Sequence, residues 1–240
     1  MKAACRRIAI RILRFPKALL NRRKCAAILR QTDLRVHLGC GDDRQAGYLN
    51  IDARPTGATD AVMDLNQPPF APDSVALAFS NAFFEHLYRD SRLPHLRAVR
   101  AALQKDGACC YMGLPYFRNI AKFYVDRAPG TAGPVFDLQN VYRYTHGNPE
   151  QAAGWWLEQL HKSLFDEAEL SGLLRNAGFE AFVLFCYAYP GDAHELPVNL
   201  GFYAAKSGRP RERLQADARA FLALFADKRI RMDSLVWLDS

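Results

Sequence analysis

No stretch of the chain holds the run of about 18 apolar residues that a membrane-spanning helix needs, and none pairs an apolar core with the small-residue cleavage site of a secretory signal. Internal repeats and low-complexity tracts are absent. The 240 residues, 50% hydrophobic, therefore read as one α/β domain with extensions around a single substantial core. The six cysteines (Cys5, Cys25, Cys40, Cys109, Cys110 and Cys186) show no Cys-x-x-Cys pair and no metal-ligand spacing. Reduced, buried thiols of a cytoplasmic protein are the expectation.

Acidic residues are missing from the first 31 positions, which hold ten bases: Lys2, Arg6, Arg7, Arg11, Arg14, Lys17, Arg22, Arg23, Lys24 and Arg30. With +7 overall, the rest of the chain is mildly acidic at −3. That balance argues against a nucleic-acid surface spread over the domain, so a basic partner surface must lie in this leader. Ile8, Ile12, Phe15 and Leu19 recur at helical spacing opposite Arg6, Arg7, Arg14 and Lys17, which predicts a basic amphipathic helix bent at Pro16. Such a helix suits an anionic membrane surface, here the inner face of the inner membrane, and equally suits packing on its own domain or on a twin subunit.

The chemistry is concentrated in Val36-His37-Leu38-Gly39-Cys40-Gly41-Asp42-Asp43, followed by Leu49-Asn50-Ile51-Asp52. A short apolar strand ending in Gly-x-Gly lets the backbone turn sharply against a ligand. A second strand ends in a carboxylate placed to hold two ribose hydroxyls. A dinucleotide fingerprint would need a third glycine at position 44, where the chain has Arg44. Its acidic residue also comes about 20 residues on, whereas Asp52 follows Gly39 by 13. Asp42 and Asp43 in the turn would repel a pyrophosphate.

These residues, with Gly47-Tyr48-Leu49-Asn50-Ile51-Asp52, Met63-Asp64-Leu65-Asn66, Glu85-His86-Leu87, His161-Lys162-Ser163-Leu164-Phe165 and Ala177-Gly178-Phe179, resemble a bacterial, type 11-like branch of the class I S-adenosylmethionine-dependent methyltransferases. The resemblance covers roughly residues 34 to 206. It implies a Rossmann-like, doubly wound seven-stranded sheet closed by an antiparallel hairpin. Cofactor contacts are expected from His37, Gly39, Cys40, Gly41, Asp52, Asp64, Leu65, Ser80 and Asn81, with Asp64 and Leu65 in the place of the pair that reads adenine.

The order of elements agrees: strands at 35–39, 48–52, 61–64 and 75–80, a helix at 91–104, a strand at 108–114, a helix at 166–177 capped by Asp166, and strands at 180–189 and 199–206. A short turn or helix is expected at 42–46. The chain thus divides into a leader helix (1–33), the transferase domain (34–206) and a C-terminal helical extension (207–240) in which Leu214, Phe221, Leu224 and Phe225 are expected contacts and an apolar tail docks. Residues 115–160, rich in Pro, Gly and aromatics, are placed as a substrate-covering lid.

Transfer from a sulfonium needs alignment of nucleophile and methyl group more than covalent machinery. A hydroxyl acceptor would need a base, and His161, His146 and His86 are the candidates, in that order for the first two. Tyr116, where the resemblance leads one to expect an acid, and Glu85 are substrate-side candidates. Some related enzymes bind a divalent metal through Glu-x-x-Glu-His, but Ala82 stands where the first glutamate would be, so no metal site is expected. The expected activity is O-methylation of a small molecule or a glycan or lipid intermediate of the cell surface. An RNA methyltransferase gripping with the leader, and a catalytically silent scaffold of the same fold, are the two alternatives.

Overall fold

Parallel strands buried on both faces need apolar residues of both parities, and Leu34–Leu38 (β1) supplies them: Val36 and Leu38 point to one side, His37 to the other. The computed structural model describes residues 21, 23–127, 135–147, 159–191 and 195–239. Around β1 run Leu49–Asp52 (β2), Ala61–Val62 (β3), Val75–Asn81 (β4), Leu103–Pro115 (β5), Ala181–Tyr187 (β6), Asn199–Ala205 (β7) and Val236–Leu238 (β8). Their order is β3-β2-β1-β4-β5-β7-β6-β8. Strands β1 to β5 pair in parallel, and β7, β6 and β8 continue the sheet antiparallel. This is the Rossmann-like doubly wound sheet with its closing hairpin. The tail, expected only to dock, adds an eighth strand, because Val236, Trp237 and Leu238 find the open edge of β6.

Helix α1 (Arg89–Ala102) and helix α4 (Glu167–Asn176) cover one face, where Leu96, Val99, Leu170 and Leu174 meet Val36, Leu38 and Ile51. Asp166 caps α4 by accepting from the Glu169 amide at 2.8 Å. The connections 39–48, 53–60 and 63–74 hold no helix, and 42–46 is irregular backbone with turns at 41–42 and 46–47. The opposite face is covered instead by α5 (Arg211–Ala223), where Leu214, Phe221 and Phe225 pack on Phe79, Cys110 and Phe185. Leu224, an expected contact, is exposed.

The 115–160 segment contains α2 (Phe117–Asp126) and α3 (Leu138–His146), which bury Ile120 and Phe136 against Leu196 and Val198. Of the leader, residues 1–20 and 22 lie outside the described residues. Residues 23–28 are helical, Ile28 joins the core, and Asn21 exchanges hydrogen bonds with both Val62 backbone groups, closing the β3 edge. No described helix is long and apolar enough to cross a membrane.

One buried histidine ties this frame together. His95 of α1 lies between the Leu65 carbonyl (2.5 Å) and the Tyr111 hydroxyl (2.6 Å). The carbonyl can only accept, so Nδ1 carries the proton and Nε2 accepts from the tyrosine. Burial lowers the pKa of His95 from 6.5 to about 4. Its linked stability is therefore present above pH 6.5 and lost as pH falls through 4, at about 1.4 kcal/mol per pH unit. We expect His95→Phe to lose about 1–3 kcal/mol near neutral pH through two orphaned polar groups. Urea titrations should show that deficit narrowing as the pH is taken from 6.5 to 4, and a constant deficit would refute the assignment.

Candidate functional site

The chain order reverses between β1 and β4, and open α/β sheets bind ligands at such a switch point, beyond the carboxyl ends of their strands. A cavity of about 400 Å³ lies there, within the range of small-molecule sites. Its wall takes Gly39 and Gly41 from the end of β1, Asp52, Ala53 and Arg54 from β2, and Asp64, Leu65 and Asn66 from β3. Ala82, Phe83, His86, Leu87 and Tyr88 follow from β4, and Gln159 and Lys162 come from a distant segment.

Gly39 has φ +70°, and a Cβ there would sit 2.3 Å from Cγ of Phe83. Both the left-handed backbone and the ring packed on it demand glycine. Asp52 holds the turn: Oδ2 accepts from the Gly41 amide and Oδ1 from the Arg54 amide, each at 2.8 Å. Asp64 turns the next strand end, accepting from the amide and side chain of Asn66 at 2.9 Å. Asp43 is paired with Arg229 from the C-terminal extension, so the turn carries less free negative charge than its two aspartates suggest.

The structure therefore gathers Gly39, Gly41, Asp52, Asp64, Leu65 and His86 around one cavity. His37 faces away, stacked on Phe79 and bonded to Asn50 Oδ1 at 3.2 Å, with its pKa lowered by burial to about 4. Cys40 is buried with Thr59 and the Gly41 carbonyl, and Ser80 donates to the Leu38 carbonyl at 3.0 Å. Asn81 is outside the wall, its Oδ1 buried without a partner. Tyr116 also lies outside the wall and donates to Glu167, with burial raising its pKa. Glu85 is fully buried just behind the wall, and burial lifts it to about 8.

Among the histidines, His86 reaches the cavity, and its Nδ1 is 3.0 Å from the Leu160 carbonyl. His161 stands behind it, ring centroids 5.2 Å apart, with Nδ1 2.9 Å from the Tyr144 carbonyl. Burial brings both to about 4. His146 is exposed, bonded to Thr145 and stacked on Tyr142. Within the described part of 115–160, Gln159 is the residue that lines the cavity. Lys162 anchors its ammonium on the His86 carbonyl at 3.1 Å and over the Tyr88 ring.

Sequence reasoning missed Ala53, Arg54, Asn66, Ala82 and Phe83, although the rule that ligands lie just beyond strand ends covers each of them. Gln159 carries no local signal, and Lys162, although it lies in the His161–Phe165 motif, was not singled out; its place is set by tertiary contacts with His86 and Tyr88.

No protein-family model matches the sequence, and no curated protein matches it. In structure the chain is similar to S-adenosylmethionine-dependent methyltransferases. One from Thermotoga maritima, described as a possible histamine N-methyltransferase, gives a TM-score of 0.48 at 15% identity, covering 82% of this chain and 96% of that one. One from Mesorhizobium loti gives 0.46 at 21% identity, covering 72% and 91%. One from Archaeoglobus fulgidus gives 0.47 at 11% identity, covering 78% and 93%.

The packing of Phe83 on Gly39 makes a direct prediction. Gly39→Ala should lose about 2–4 kcal/mol, from left-handed strain and from overpacking together. Thermal melts should show a smaller loss for the same change in a Phe83→Ala background, because the clash is then relieved. Equal losses in both backgrounds would mean that the ring is not what excludes a side chain.

Proposed function

We propose that this chain is an S-adenosylmethionine-dependent methyltransferase that O-methylates a small molecule or a glycan or lipid intermediate of cell-surface biosynthesis. The observation that carries the reading is the convergence of Gly39, Asp52 and the Asp64-Leu65 pair, from three successive strand ends, on one cavity at the switch point. A dinucleotide wants a helix N-terminus for its pyrophosphate, and the 39–48 connection has none. A pair of carboxylates instead suits ribose and adenine donors and tolerates a sulfonium.

When bound, the cofactor supplies a methyl group already attached to a good leaving group. The chain's own part is placement. The backbone at Gly39 admits close approach, Asp52 would hold the ribose hydroxyls, and Asp64 with the Leu65 amide would read adenine. Phe83 and Leu87 exclude water from one side of the cavity. Among the histidine candidates, His86 is the one at the wall, so a hydroxyl acceptor would be approached from there, ahead of His161 and His146.

Calorimetry tests the cofactor. S-adenosylhomocysteine should bind and NAD should not, and Asp52→Ala should weaken binding by about 1–3 kcal/mol through loss of a charged partner. Unchanged affinity in Asp52→Ala would remove the basis of this reading. Binding without turnover on any extract would favour the scaffold alternative, and salt-sensitive RNA binding through the leader would favour the RNA enzyme.

The leader is proposed to add affinity for anionic membrane surfaces at the cytoplasmic face. Each base near such a surface contributes about 1 kcal/mol. Asn21 and Ile28 belong to the domain edge, so the informative truncation begins at residue 21 and keeps them. It should still bind S-adenosylhomocysteine but lose sedimentation with anionic vesicles in low salt. Full-length protein that ignores such vesicles would end the membrane proposal.

A further inference from the structure

We propose that Glu85, His86 and His161 bind a single divalent transition-metal ion of the zinc class in the wall of the cavity. Each side chain offers one ligand atom, and these atoms lie within 4.8 Å of one another. Metal–ligand bonds of about 2.0–2.1 Å in a tetrahedral shell put neighbouring ligand atoms about 3.4 Å apart, so the three side chains would draw together on binding the ion.

The backbone sets both imidazoles for the task. The Tyr144 carbonyl can only accept, so His161 carries its proton on Nδ1 and has its lone pair on Nε2; His86 turns Nδ1 to the Leu160 carbonyl in the same way, and an ion at its Nε2 would replace the contact its ring makes with the Ala82 carbonyl. A carbonyl behind a histidine is the usual second partner of a metal-bound imidazole. Glu85 is the independent sign of a ligand. It is fully buried, and its Oε2 has no hydrogen-bond partner, while Oε1 lies 3.8 Å from His86 Nε2. A buried oxygen left in this state calls for a cation or a proton.

Two imidazoles and one carboxylate favour zinc and its neighbours over magnesium or calcium, which prefer oxygen-rich shells. Three protein ligands leave a fourth position open, and because His86 lines the cavity while Glu85 is enclosed, that position falls on the cavity side. Ala82 supplies no ligand to the turn that carries Glu85 and His86. His161 comes from elsewhere: the Lys162 amide donates to the Glu85 carbonyl at 2.8 Å, holding the two segments side by side. Gly147, at φ +82°, lets the end of α3 lie against them, since a Cβ there would meet the Gln159 carbonyl at 2.9 Å and the His161 ring at 3.3 Å.

The site stands on this geometry alone. Its use in polarising an acceptor hydroxyl rests on the methyltransferase reading.

The test is a titration of chelator-treated, full-length protein with cobalt(II), followed by visible absorption and calorimetry, with zinc as competitor. One ion per chain, displaced by zinc, is expected. His161→Gln and Glu85→Gln should each weaken it more than about a hundredfold, beyond the range for outer-shell partners, with S-adenosylhomocysteine affinity unchanged. Circular dichroism of the metal-free variants checks that they fold, and should Glu85→Gln fail to, His161→Gln decides. Absence of a cobalt spectrum overturns the site, as does a spectrum that survives His161→Gln or one with thiolate charge-transfer bands. An intact cobalt spectrum without S-adenosylhomocysteine binding would overturn the transferase reading and leave the metal site standing.

Discussion

The cavity depends on one contact, the hydrogen bond from the Gly41 amide to the Asp52 carboxylate at 2.8 Å. A helix after β1 would satisfy the backbone groups of this crossover within itself. No helix forms at 39–48, so side chains do the work. Asn50 accepts from the Gln45 amide and donates to the Gln45 and Tyr48 carbonyls, Arg44 reaches the Ala58 carbonyl and Asp60, and Thr56 donates to the Gly41 carbonyl. The first two connections therefore brace one another. A residue that would contact ribose is also the clasp of the glycine turn, which couples ligand contact to the shape of the turn itself.

The same missing helices explain the C-terminal extension. A parallel sheet must be covered on both faces, and Tyr48 and Phe79 would otherwise be open to water on the side away from α1. Phe221 and Phe225 supply the cover, and Arg229 lies over the Phe79 and Phe225 rings while pairing with Asp43. The extension carries no group into the cavity, yet it anchors the turn that forms the cavity's floor.

What could be read from the sequence was what lies close along the chain. Gly39, Asp52 and Asp64-Leu65 each sit at a strand end marked by its own apolar run, so pattern and site coincide. His37 is different. Strand alternation places it opposite Val36 and Leu38, and the motif in which it sits concealed that simple consequence. Tyr116 shows the limit of position-by-position likeness, since its hydroxyl is taken by Glu167, 51 residues away. The eighth strand was illegible because the edge it joins exists only once β6 has paired with β7.

The two halves of the wall differ in how they are assembled. The glycine turn and the carboxylates are held mostly by contacts within and between neighbouring connections, 2 to 16 residues apart, with Arg229 on Asp43 as a long-range tie. The other half, where Lys162 and Ser163 bond the His86 and Leu87 carbonyls, is held by contacts 76 residues apart. Closing a loop that long is entropically dearer than closing a short one, though only logarithmically so. Substitutions in residues 159–165 can reshape what that side admits while the Asp52 clasp stays intact.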